Sequence, residues 1–277
     1  MPLDHLLSLT ELDFVAFDTE TSGAYPLESE IVEFGAVKWS KGQIVDEYQT
    51  LLKPRQPMSQ FIIGIHGISN EMVENAPLMS EKIHEIYAFL SGSVVMAHHA
   101  PFDLGFLTPE FEKYHCPIPD EAALCTSLLA RKLIHESPNH KLQTLIQVLK
   151  IPQGQAHRAL DDAKACLEVG LECFRRLGQE ATLAEALKVQ AKPLKWSQFQ
   201  LLESLSSTRK TLIEAIMAKK DIDIVYEGGS VRSRPRRVTP IGIVRNPDGD
   251  YIMANCHLDR ATKRFYIDKI SDVAMVF

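Results

Sequence analysis

The chain alternates between short apolar runs and amphipathic stretches, and the period of each run predicts its element. Residues 13–19 are mostly apolar and end on charged positions, which predicts a buried strand. Residues 31–39 and 43–52 predict two more strands, and the short Ser40-Lys41-Gly42 turn between them predicts an antiparallel hairpin. Over 78–91, Ile83, Ile86, Tyr87 and Leu90 share one helical face. Val94 to Ala97 predicts a short buried strand. Residues 102–113 predict a helix, with Phe102, Phe106 and Phe111 available for its buried side. Three further helices are expected over 126–134, 141–149 and 159–177. A hairpin followed by alternating helices and strands predicts a mixed α/β sheet flanked by helices.

The pattern then changes. Residues 180–190 have helical propensity, Pro193 breaks it, and Trp196 to Leu205 resumes an amphipathic pattern. A helix over 208–219 leads into β-rich sequence: Ile222 to Tyr226 alternates, and Tyr251 to Cys256 and Arg264 to Ile267 are further strands. Gly228-Gly229 and Pro247-Asp248-Gly249-Asp250 are turn signals. Several short strands within so few residues predict a small barrel. The expected division is therefore 1–178, a helical connector over 179–207, and 208–277.

Charge and cysteine usage narrow the class. The 277 residues carry a formal net charge of −6, so no overall basic signal points to nucleic acid. The balance is uneven: from Lys219 onward there are eleven Lys/Arg against eight Asp/Glu. The five cysteines form no CxxC pair, which argues against zinc and fits reduced thiols. No stretch approaches the length of a membrane span and the first residues lack a signal-peptide pattern, so a cytoplasmic protein is expected.

Chemistry is concentrated in four carboxylates and a histidine. Asp18 and Glu20 are two apart at the end of the first strand, so both project from one sheet face. Asp103 opens a helix, where an aspartate also serves as a cap or first-turn residue. His157 and Asp162 are five apart at the start of the helix over 159–177. Carboxylates are costly to place together unless cations neutralise them, and oxygen ligands suit Mg²⁺ or Mn²⁺. A histidine beside such a cluster is a natural base for activating water. The implied chemistry is hydrolysis of a phosphodiester with two metal ions.

These motifs, in the order Asp18-Thr19-Glu20-Thr21, Glu30 to Val37, His66-Gly67-Ile68, Ala76-Pro77, Asp103 and His157…Asp162, resemble the DEDDh 3′–5′ exonucleases. That is the family of the proofreading subunit of bacterial replicative polymerases. The resemblance covers roughly residues 10–176 and implies a ribonuclease-H-like fold with a mixed five-stranded sheet flanked by helices. It implies that Asp18 bridges two metals, Glu20 holds the metal on the nucleophile side, Asp103 and Asp162 complete the site, and His157 is the base. It also implies nucleic-acid contacts at Thr21, His99 and Phe102, although His99 stands where the family usually has asparagine. His66 is expected to position its loop.

Residues 208–277 resemble the WYL domain, a ligand- or nucleic-acid-sensing module of bacterial transcription regulators. The matching segments are Arg237 to Pro240, Tyr251 to Cys256 and Arg264 to Ile270, although only Tyr251 of the naming triplet is kept. Arg232 to Arg237 has no acidic residue. Either its charges guard an edge strand or Arg234, Arg236 and Arg237, with Arg264, contact phosphates. Gln198 to Leu202 faintly resembles a sliding-clamp peptide, but a helix face explains it better. The expected enzyme is a 3′–5′ exonuclease acting on 3′ ends of single-stranded DNA, the favoured substrate, or RNA, with a polymerase or sliding clamp as a partner. The rival is a non-catalytic sensor that keeps the nuclease fold as a platform. The complete carboxylate set argues against it.

Overall fold

The computed structural model describes residues 6–152, 154, 156–203, 206–228 and 234–276. Strand β1 (Phe14–Thr21) pairs antiparallel with β2 (Ile31–Ser40), which pairs with β3 (Gln43–Leu51). Lys41 and Gly42, at φ +51° and +85°, make the tight turn of this hairpin; two left-handed residues match its twist to that of the strands. Short helices α1 (Gln60–His66) and α2 (Asn70–Val73) precede α3 (Met79–Leu90). Then come β4 (Val94–Ala97), α4 (Pro101–Lys113), β5 (Ala122–Cys125), α5 (Thr126–Leu133), α6 (Leu142–Leu149) and α7 (Ala159–Leu177). Helix α8 (Leu183–Gln190) leads to β6 (Leu194–Lys195) and a 3₁₀ turn at Trp196–Phe199.

The sheet order is β3-β2-β1-β4-β5-β6, with β4 parallel to β1 and β5, so the mixed α/β sheet is as expected. It has six strands rather than five, because the two-residue β6 adds an edge. Alternation along β1 sorts the core. Val15 and Phe17 join α3 and α4 in one cluster, while Phe14 and Ala16 join α5, α7 and α8 in the other. Asp18 and Glu20 have the parity of Phe14 and Ala16, so they lie on the α7 side of the sheet.

Part of the stretch read as a connector belongs to these cores. Leu194, Trp196 and Phe199 are fully buried in the first cluster, and Trp196 stacks on Phe111 and Phe17 at 5.4 and 6.3 Å. The helical pattern expected over 196–205 ends at Phe199. Beyond it, the backbone N–H groups of Leu201, Leu202 and Glu203 donate to the buried Glu112 carboxylate of α4, at 2.6, 3.1 and 3.0 Å. Within the segment Gln198 to Leu202, Phe199 and Leu201 are fully buried, whereas Gln198 and Leu202 are exposed.

Helix α9 (Ser207–Ala218) then packs on β7 (Ile222–Tyr226), β8 (Pro235–Val244), β9 (Tyr251–Cys256), β10 (Ala261–Tyr266) and β11 (Ile270–Met275). These strands form an antiparallel sheet in the order β10-β9-β8-β7-β11. Among the described residues no ladder joins β10 to β11, so the element is a five-stranded sheet with two outer strands rather than the closed barrel expected. No helix among the described residues is long and apolar enough to cross a membrane. All five cysteines are buried and unpaired.

Candidate active site

Asp18 and Glu20 leave β1 where apolar residues end, directly over the first turn of α7. A fully buried carboxylate, Glu33 on β2, holds that turn in place. It faces Glu20 across the ladder. Glu33 accepts Arg158 Nη2 at 2.7 Å and Nε at 3.1 and 3.2 Å, the Ala159 N–H at 3.0 Å and Gln49 Nε2 at 2.8 Å. Every lone pair direction is used, which is what a buried charge requires. Gly35, two residues beyond Glu33, lets the backbones meet: a Cβ there would lie 2.1 Å from Leu160 N.

Asp162 is buried on the first turn of α7. The His157 backbone N–H donates to its Oδ2 at 3.1 Å, and Gln143 Nε2 to its Oδ1 at 3.4 Å. His157 is exposed and takes a left-handed backbone, φ +59°. That strain at a non-glycine residue is a feature of functional loops. Ligand atoms of Glu20, His157 and Asp162 lie within 4.8 Å of one another. Asp103, 2% exposed on the first turn of α4, accepts the Thr19 N–H at 3.1 Å and the Thr19 hydroxyl at 2.8 Å through Oδ1.

The electrostatics show the cost of this convergence. Burial, then Asp103 and Glu20, hold the Asp18 carboxyl well above the usual carboxylate range. Burial, followed by the Asp162 and Glu33 charges, pushes Glu20 up to about 8. Burial also raises Asp103, against the lowering effect of its Thr19 hydrogen bonds, and raises Asp162, against the His157 N–H. Without cations the cluster holds its protons to higher pH than free carboxylates do. The donor set, carboxylates with one imidazole at the rim, fits hard divalent cations of the Mg²⁺ or Mn²⁺ kind.

The structure places the remaining expected residues unevenly. Thr21 is buried and its hydroxyl donates to the Gly23 carbonyl at 2.7 Å. His99, at φ +66°, is exposed just before the start of α4. Phe102 was expected to serve the buried side of its helix; it is instead 36% exposed beside Phe106. His98 is structural, bonded to Thr126 Oγ1 and the His140 carbonyl at 2.9 and 3.0 Å. His66 is buried and its Nδ1 accepts the Ile68 N–H at 3.0 Å, so it shapes its own loop.

The arginine run separates by strand alternation. Arg236 points inward, is 7% exposed, lies 3.5 Å from Asp259 and packs over Phe265, so it is not on the basic outer face expected for it. Arg237 points outward and pairs with Asp223 at 3.0 Å. Arg234 and Arg264 are exposed, the latter lying 4.1 Å over the Tyr251 ring. Arg232 and Gly229 lie outside the described residues. Glu33 and Arg158 were not singled out from the sequence. The signal was a lone acidic residue inside the apolar run Ile31 to Val37.

Residues 15–169 match the exonuclease family model and residues 207–275 match the WYL domain model. Among curated relatives, a PolC-type DNA polymerase III of Caldanaerobacter subterraneus is 36% identical over 167 residues, covering 60% of this chain and 12% of that protein. A putative bifunctional exonuclease/endonuclease protein of Mycobacterium tuberculosis is 35% identical over 188 residues, covering 65% of this chain and 29% of its own. The chain thus spans 12% and 29% of the length of these two relatives. Among solved structures, exonuclease I superposes with a TM-score of 0.55 at 15% identity, over 95% of this chain and 64% of that one. A 3′-exonuclease studied for 3′-end recognition of a histone mRNA stem-loop gives 0.52 at 18% identity, over 61% and 83%. At those identities the likeness is one of fold. The chain belongs to the exonuclease family, and it carries a WYL domain behind the nuclease fold.

Proposed function

We propose that this protein is a divalent-metal-dependent 3′–5′ exonuclease that removes nucleoside 5′-monophosphates from single-stranded nucleic acid, DNA in preference to RNA. The observation that carries the reading is the meeting of Glu20, His157 and Asp162 within 4.8 Å beside the half-buried Asp18 and the buried Asp103. Asp18, Glu20, Asp103 and Asp162 would hold two Mg²⁺ or Mn²⁺ ions, which when bound would supply Lewis acidity toward a water and toward the oxygens on phosphorus. His157 accepts the water's proton on an imidazole nitrogen as the oxygen attacks phosphorus and the bond to the 3′-oxygen of the penultimate nucleotide breaks. Arg158 and Glu33 keep the turn carrying His157 against Asp162. Thr21, His99 and Phe102 border the terminal nucleotide. Arg234, Arg237 and Arg264 of the C-terminal domain add phosphate contacts.

The domain division belongs to the same proposal: a nuclease over 1–178, the segment 179–207, and a WYL-like domain over 208–277. The middle segment serves as packed structure for the first unit as much as a bridge to the second. A polymerase is the partner implied by PolC-type relatives.

The test is digestion of matched single-stranded DNA, duplex DNA and RNA with Mg²⁺ or Mn²⁺. Mononucleotide release from 3′ ends is expected, fastest on single-stranded DNA. Binding without metal-dependent hydrolysis would instead favour a sensor.

A further inference from the structure

The loop after Thr21 is a built element. Ser22 N–H donates to Glu30 O at 2.8 Å, Ser29 N–H to Tyr25 O at 2.9 Å, and Glu30 N–H to Ser22 Oγ at 2.9 Å, so the loop closes on itself. It rests on the C-terminal domain: Leu27 packs on that domain's core, and Lys219 lies 3.5 Å from Glu28. Tyr25 is seated on the outer face of the C-terminal sheet. Gly242 of β8 makes room for it, since a Cβ there would lie 2.3 Å from Tyr25 Cβ. Gly242, Met253 and Arg264 are ladder neighbours on β8, β9 and β10, and Tyr251 and Tyr266 are the next pair along the same face. Arg264 lies over the Tyr251 ring, 4.1 Å from its centroid, and Tyr266 stands beside it in the ladder. Tyr251 and Tyr266 meet edge to face at 6.0 Å, and Lys269 covers Tyr266 at 5.5 Å. Among the described residues Arg264 has no carboxylate partner.

We propose that Tyr25 of the nuclease fold and the Tyr251–Arg264–Tyr266 cluster of the C-terminal domain form one composite site for single-stranded nucleic acid, which holds the strand a few nucleotides upstream of the scissile bond. Arg264 is already held over an aromatic ring and is exposed, so its guanidinium offers a base a preoriented stacking partner and a phosphate its N–H donors. Three tyrosines and two cations, with no acidic group paired to Arg264, suit a polyanion with unpaired bases. Tyr25 is five residues from Glu20, so at most about 18 Å of chain separates Tyr25 from that carboxylate. This inference rests on the exonuclease reading for the strand's direction, but its test does not.

Binding is measured by fluorescence anisotropy on the full chain in chelator, where nothing is hydrolysed, with labelled strands of about four and about fifteen nucleotides. Arg264→Ala and Tyr25→Ala should each weaken the longer strand by about 5- to 10-fold and the shorter one far less. The double variant should lose less than the product of the two, because both act on one stack. Tyr25→Phe should bind like wild type. Strands carrying one 5-iodouracil should cross-link to Tyr25 or Tyr251 at an upstream position, a readout that holds even if Tyr25→Ala disturbs domain docking. Loss in Arg264→Ala alone, with no cross-link at Tyr25, would confine the site to the C-terminal domain and overturn the composite. Binding of a mononucleotide as tight as that of the long strand would overturn the strand assignment. A chain that binds in this way yet hydrolyses nothing would leave this inference standing and remove the proposed activity.

Discussion

Glu20 occupies the most revealing environment in the molecule, half-buried among carboxylates with its own carboxyl pushed up to about 8. Asp18, Asp103 and Asp162 are raised in the same direction. The folded, metal-free protein therefore binds more protons than the unfolded chain between the ordinary carboxylate range and neutrality. Stability must fall as pH rises through that window. In excess chelator the melting temperature should drop between about pH 5 and pH 8, and Mn²⁺ should restore it most strongly at the upper end. A flat profile, or equal rescue at both ends, would mean that the carboxylates are not held together without a cation. Asp162→Asn should remove most of the rescue with activity. These residues were legible in the sequence because the acidic motifs, the histidine and the segments between them stand together in the order of the exonuclease family, where any one motif alone would be weak. Arg236 was misread because a run of arginines carries no sign of which members a strand turns inward.

At the scale of elements, the site depends on β2 holding the first turn of α7 against β1. Gly35→Ala would put a methyl 2.1 Å from Leu160 N, so the helix start must move. The expected cost is about 1–3 kcal/mol of stability, with a fall in kcat larger than the loss of fold explains. Melting curves and single-turnover rates on the same preparation check this, and an unchanged kcat would show that the α7 turn does not set the geometry. Glu33→Gln should behave similarly, since Arg158 then keeps a neutral partner where it had a charge. The long helices and the hairpin were readable from apolar period and turn residues. Helices α1 and α2 and strand β5 were not, being four to seven residues long. So short a run carries little periodic signal, although Ser59, which caps α1, was a usable cue. The barrel expected for the C-terminal sheet came from counting strands, and strand number does not determine closure.

At the scale of the whole molecule, the segment past residue 178 is part of what folds the nuclease. A fragment ending at Gly178 carries every proposed catalytic residue but lacks Leu194, Trp196 and Phe199, all fully buried in the first core. Trp196→Ala should cost about 3–5 kcal/mol in the full chain. The 1–178 fragment should be far less stable than one ending at Glu203, as urea melts would show. The sequence hid this because Pro193 and a change of pattern resemble a linker, while the burial of Trp196 is set by tertiary contact.

The metal-dependent 3′–5′ activity is tested most directly by digestion of a single-stranded DNA labelled at its 5′ end, with Mn²⁺, by wild type and Asp18→Ala. The prediction is a ladder shortened one nucleotide at a time from the 3′ end, abolished by chelator and slowed at least about a thousandfold by the substitution. Early release of the labelled 5′ nucleotide, or equal digestion by Asp18→Ala, would contradict it.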